Sequence, residues 1–118
     1  MLDFQLLAEE DFAVAQLEGL VTLDAWREVL QRLADEVKSN GAPSRLVIDI
    51  RRVLGYLGIP ERKTVGALMA HHFLTCAKVA VVVQAQKITG VVSGEANRHG
   101  LDLRLFPDFD DAVAWIRT

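Results

Sequence analysis

Few side chains of this 118-residue chain are grouped in ways that could do chemistry. The first group is Arg51-Arg52-Val53-Leu54-Gly55-Tyr56-Leu57-Gly58-Ile59, where two guanidinium groups able to pair with an anion precede a segment more apolar than a solvated loop needs. Gly55 and Gly58 let it bend. The second group, Gln84-Ala85-Gln86-Lys87, offers amide donors and one cation. His71 and His72 resemble a metal pair, but adjacent helical residues point about 100° apart and cannot chelate one ion together. A triad of Asp49, His72 and a serine has little behind it, because Ser39, Ser44 and Ser93 occupy no nucleophile elbow. Cys76 is the only cysteine, so no internal disulfide and no thiolate set for zinc is available. The residues left as binding candidates are Arg51, Arg52, Leu54, Tyr56, Leu57, Ile59, Gln84 and Lys87; no catalytic, cofactor or metal set emerges.

The elements that must position these residues are legible from periodicity. Leu2, Phe4 and Leu6 alternate with Asp3 and Gln5, and Phe12 to Leu17 forms a second apolar run beyond Glu9-Glu10-Asp11, which predicts a hairpin. Leu23, Trp26, Val29, Leu30, Leu33, Ala34 and Val37 fall at helical spacing, with Thr22 as N-cap, Asp24 in the first turn and Asn40-Gly41 with Pro43 as the stop. Leu46 to Ile50 and Val79 to Val83 are nearly continuous apolar runs, as strands buried on both faces require. Between them, Pro60 opens a helix whose stripe is Val65, Leu68, Met69, His72, Phe73 and Cys76. A third helix is expected from Ile88 through Val91, Val92, Glu95, Ala96 and His99, ended by Gly100. Gly90 and Gly94 within it have the spacing of a close approach, with packing on the sheet the expectation. Leu101 to Phe106 reads as an edge strand, and Asp108 caps a last helix buried through Phe109, Ala112, Val113 and Ile116. Trp115 lies beside that stripe, where it could make contacts of its own.

The resulting order, β-β-α-β-α-β-α-β-α, describes one α/β domain over residues 1–118, with a mixed, mostly parallel sheet and right-handed crossovers. In such sheets ligands gather outside the C-terminal ends of the strands, where Arg51 to Ile59 and Gln84 to Lys87 both fall.

Composition narrows the function classes. A chain that is 51% hydrophobic and 25% charged folds by itself. Its net charge of −3, with 13 scattered Lys and Arg, supplies no basic field for nucleic acid. The N-terminus lacks a basic start and a long apolar stretch, so no export is expected. Val79 to Val83 is far shorter than the roughly 20 residues of a membrane span. A cytoplasmic, reducing setting is the expectation.

The element order, the Leu46–Ile50 strand with an acid at its end, and the closing stretch Arg104-Leu105-Phe106-Pro107-Asp108-Phe109-Asp110-Asp111-Ala112-Val113-Ala114-Trp115-Ile116 resemble the SpoIIAA-like branch of the STAS superfamily. The resemblance implies a small binding domain, compared in part of the group with CRAL-TRIO-like lipid carriers. The anti-sigma factor antagonists that define STAS domains carry an Asp-Ser-Ser/Thr-Gly stretch with a phosphorylatable hydroxyl after the central strand. The matching stretch here, Tyr56-Leu57-Gly58-Ile59-Pro60-Glu61, has only the Tyr56 phenol, and Thr64 comes a turn too late. A phospho-switch is therefore not carried over.

Two functions follow as expectations. The first is a non-enzymatic regulatory or interaction domain that presents the 51–60 segment to a protein partner or to a second copy of itself. The second is a carrier holding an apolar small molecule or lipid between helices and sheet. A bland alternative stands beside both: the apolar residues tuck under the domain and the arginines are solvated.

Overall fold

The structure, a computed structural model, describes residues 2–39, 41 and 44–118. Five strands, β1 (Leu2–Ala8), β2 (Ala13–Leu20), β3 (Arg45–Leu54), β4 (Lys78–Val82) and β5 (Leu103–Phe106), form one sheet in that order. β1 runs antiparallel to β2, and the other neighbours are parallel. The helices are α1 (Leu23–Ser39), α2 (Ile59–Phe73), α3 (Val91–Arg98) and α4 (Phe109–Ile116). The expected α/β order is therefore present, with β5 on an edge.

Strand order explains the layering. β2 to β5 succeed one another in one direction, so right-handed crossovers bring all three connecting helices to the same face. Leu30 and Leu33 of α1, Met69 and Phe73 of α2, and Ala96 of α3 share that core with Leu46 and Ile48. Only α4, which follows the last strand, reaches the other face, where Ala112 and Ile116 pack on Val47, Ala80 and Val82. Phe12 and Val14, at the start of β2, join that cluster, and among the described residues no helix covers the rest of the β1–β2 half of that face. Asp3, Gln5, Gln16 and Glu18 are accordingly exposed there.

The caps fall where expected. The Ala25 amide donates to Thr22 Oγ1 at 3.0 Å, and the Asp110 amide to Asp108 at 2.7 Å. α3 ends in a Schellman-type turn, with Gly100 at φ +94° and the Leu101 amide bonding Ala96 O at 3.1 Å. Asn40 and Pro43, assigned to the stop of α1, lie outside the described residues; Gly41 between them has φ +59°.

Several boundaries differ from expectation for physical reasons. β3 continues past Ile50 to Leu54 because β2 runs on beside it, pairing Glu18 with Arg52, Gly19 with Val53 and Leu20 with Leu54. β5 begins only at Leu103, where pairing with β4 starts. α2 stops at Phe73, so Cys76 sits in the turn before β4, half-buried against the core. α3 starts at Val91 rather than Ile88, because Gly90 takes φ +80° and a 3-10 turn over Ala85–Lys87 precedes it.

The close approach predicted at Gly90 and Gly94 is also displaced. Nothing lies within 4 Å of a Cβ built at either position, so neither packs on the sheet. The tight contact is at Gly66 of α2, where a Cβ would meet Val92 O at 2.6 Å and Glu95 Cβ at 2.9 Å. α2 and α3 cross there, at a glycine without a partner at regular spacing.

Candidate functional site

The segment leaving β3 is bent by Gly55, at φ +101°, where a Cβ would stand 2.7 Å from Val21 Cγ1. Both the conformation and the contact require glycine. The Val21 amide bonds Leu54 O at 2.8 Å, joining the ends of β2 and β3. Gly58 is then the N-cap of α2 and Pro60 lies in its first turn.

The second loop comes to the same place. Gln84 Nε2 donates to Arg51 O at 3.0 Å, while Lys87 Nζ donates to Gly55 O at 2.9 Å and Val53 O at 3.2 Å. Lys87 thus holds the strand end by its carbonyl oxygens.

The eight candidate residues do not converge on one site. A bulge in β3 between the pairs Gln16–Asp49 and Glu18–Arg52 inserts one residue. Arg51 and Arg52 line an open polar groove of ≈ 460 Å³ with Asp3, Gln5, Gln16, Glu18 and Asp49. Arg51 pairs with Asp49 at 2.8 Å and lies 5.8 Å from the Phe109 ring of α4. That hydrogen-bonded carboxylate raises the Arg51 pKa further, against the opposing effect of burial. Neither arginine stands at the start of α2.

Leu57 and Lys87 belong to the opposite face. With Trp26, Val53, Val65, Met69 and Val92, among others, they line a mainly apolar pocket of ≈ 90 Å³ between the sheet and α1, α2 and α3. Leu54 and Ile59 are 63% and 55% exposed, Tyr56 also lines that pocket yet leaves 60% of its surface exposed, and Leu20, the register partner of Leu54, is 58% exposed. These four make an apolar surface at the C-terminal ends of β2 and β3.

The cation beside the start of α2 is Arg62, which was not among the sequence candidates. Its guanidinium lies 4.7 Å from the Tyr56 ring, donates to Gly58 O at 3.4 Å and reaches Thr89 Oγ1 at 2.6 Å. A signal existed: Arg62 and Lys63 so early in a helix run against its dipole.

Asp49 faces the α4 side, whereas His72 lies on α2 across the sheet, so no triad can assemble from them. Trp115 is half-buried beside Phe106, with Lys78 and Arg104 5.0 and 4.9 Å from its ring. Among the described residues, no helix is long and apolar enough to cross a membrane.

No family model matches the chain, and no curated protein does. Solved structures do. Over all of its length and 96% of the other chain, it is similar to an anti-sigma factor antagonist from Mycobacterium paratuberculosis, at 17% identity and a TM-score of 0.61. A second match, covering 98% of this chain and 93% of the other, is an uncharacterised protein with a SpoIIAA-like fold from Shewanella loihica PV-4, at 17% identity and a TM-score of 0.57. Together with the strand order and helix layers, these likenesses show that the chain has a SpoIIAA-like fold.

Proposed function

We propose that this domain is a non-enzymatic regulatory module that binds a protein partner, or a second copy of itself, through the surface of Leu20, Leu54, Tyr56 and Ile59. The observation that carries this reading is the exposure of those four large apolar side chains at one end of the sheet, beside the start of α2. A solvated loop has no use for them, whereas a binding surface places such residues at its centre. The likeness to an anti-sigma factor antagonist supports a regulatory role. Asp49 tied to Arg51, and His72 across the sheet, support the non-enzymatic part. The single cysteine is consistent with a cytoplasmic setting.

The reading includes binding without a phosphoacceptor. The stretch from Tyr56 to Glu61 has no serine or threonine, and the Thr64 hydroxyl, a turn later, donates to Pro60 O at 3.2 Å. Charge added by phosphorylation at the start of α2 has no aliphatic hydroxyl to carry it.

The test pairs Leu54→Asp with Tyr56→Ala in a quantitative cross-linking pull-down, followed by light scattering after size exclusion. A species recovered in fixed proportion with the wild type should fall by about tenfold or more with either variant, as truncation at the centre of an interface does. Unchanged recovery together with an unchanged mass overturns the surface.

A second reading, a small-molecule carrier, is favoured by the apolar pocket under Leu57. Its ≈ 90 Å³ is well below the roughly 300 Å³ at which drug-sized sites begin, which favours a small ligand over a lipid chain.

A further inference from the structure

The apolar pocket has a charged mouth. Its walls are Trp26, Ile50, Val53, Val65, Met69 and Val92, and at its rim stand Arg62, Lys87 and Thr89. Every hydrogen bond that the two cations make goes to a neutral acceptor: Gly58 O and Thr89 Oγ1 for Arg62, Val53 O and Gly55 O for Lys87. Among the described residues, neither forms an ion pair. Glu61, the acid next to Arg62 in the chain, keeps its carboxylate beside Gly58. A guanidinium has five N–H donors and an ammonium three, so both cations retain donors.

We infer that this pocket binds a short-chain aliphatic carboxylate, with the chain among Val65, Met69 and Val92 and the carboxylate between Arg62 and Lys87. The inference rests on the small-molecule reading and not on the partner surface. Volume sets the chain length. At about 30 Å³ for each water-sized group, ≈ 90 Å³ takes roughly three carbon groups with the next at the rim, less than the roughly 150 Å³ cavity that accepts benzene. Charge sets the head group, because a carboxylate converts spare donors into charge-assisted bonds that a neutral amide or alcohol cannot match. The bond from Arg62 to Thr89 narrows the rim, which admits a free small acid more easily than a length of polypeptide.

The experiment is a titration of the methyl-labelled full chain, followed by NMR at fixed ionic strength, with sodium isovalerate, isovaleramide and sodium acetate as the probes. Isovalerate should shift the Val65, Met69 and Val92 methyl signals saturably, with a Kd on the order of 1 mM for so few atoms. Isovaleramide, with the same chain and no charge, and acetate, with the charge and no chain, should each bind about tenfold or more weakly. Lys87→Gln should remove most of the preference for acid over amide. No saturable shift at those methyls up to about 50 mM isovalerate, or equal binding of acid and amide, overturns the inference. The three probes on the wild type decide the matter even if Lys87→Gln fails to fold. Leu54→Asp lies outside the pocket and should leave the isovalerate titration unchanged, so loss of the partner surface and loss of this site are read separately.

Discussion

The carboxylate of Asp49 is held by Arg51 through three hydrogen bonds, from the backbone amide at 3.1 Å, from Nε at 3.0 Å and from Nη2 at 2.8 Å. Asp49 is the buried member, with its side chain 10% exposed against 44% for Arg51. This pair closes the β3 bulge on itself, two residues apart, and it occupies the cation that the sequence offered to an anion.

From that geometry, Asp49→Asn should lower stability by about 1–3 kcal/mol, since it removes the charge from bonds whose donors remain. Urea unfolding measures it: the midpoint should fall while the slope stays constant. Partner recovery through Leu54 and Tyr56 should survive the substitution. A midpoint within error of the wild type would mean that solvent replaces the pair at no loss.

Gly66 and Gly94 make opposite predictions for the same substitution. Gly66→Ala puts a methyl group 2.6 Å from Val92 O and 2.9 Å from Glu95 Cβ, so α2 and α3 must part. A loss of about 1–3 kcal/mol is expected from such overpacking. Gly94→Ala meets nothing within 4 Å inside a helix, and should gain about 0.5–1 kcal/mol from helix propensity. Thermal unfolding of the two variants should therefore move in opposite directions.

That contrast marks what the sequence could show. Helices with a clear apolar period and a side-chain cap, such as α1 after Thr22 and α4 after Asp108, were legible because their signals are local. So was the layered order, since strands buried on both faces read as unbroken apolar runs. Gly90 and Gly94 were visible as a pair, yet which glycine is crowded depends on where α2 crosses α3, and no local rule contains that. Arg51-Arg52 read as the start of a loop leaving the strand, because the bulge that keeps both within β3 and turns them toward the polar groove exists only in the pairing with Gln16 and Glu18. Arg62 was passed over because it sits inside a helix, although its guanidinium belongs to the loops on either side.

Cys76 should be slow to react. It is half-buried in the turn after α2, and burial pushes its thiol pKa up, which leaves less thiolate at neutral pH. Alkylation by iodoacetamide at pH 8 should run at least about tenfold slower in the folded chain than in urea, with a mass shift on one residue as the readout. Equal rates would place the sulfur in open solvent.

His72 should contribute to the pH dependence of stability. Burial holds its imidazole pKa below the ordinary value, helped by the neighbouring His71 and by Lys38 of α1, and opposed by Asp35 of the same helix. The unfolded chain therefore protonates this residue first as pH falls, from about 6.5 downward. In that window the unfolded state binds more protons than the folded one, so stability drops as pH falls and goes on dropping until the folded group also protonates. Replacing the imidazole by an amide removes the difference while keeping a polar side chain of similar reach. Between pH 7 and about 5 the urea midpoint of the wild type should fall more steeply than that of His72→Gln, with His71 and His99 common to both. Parallel slopes would show that His72 is as well solvated in the fold as in the unfolded chain.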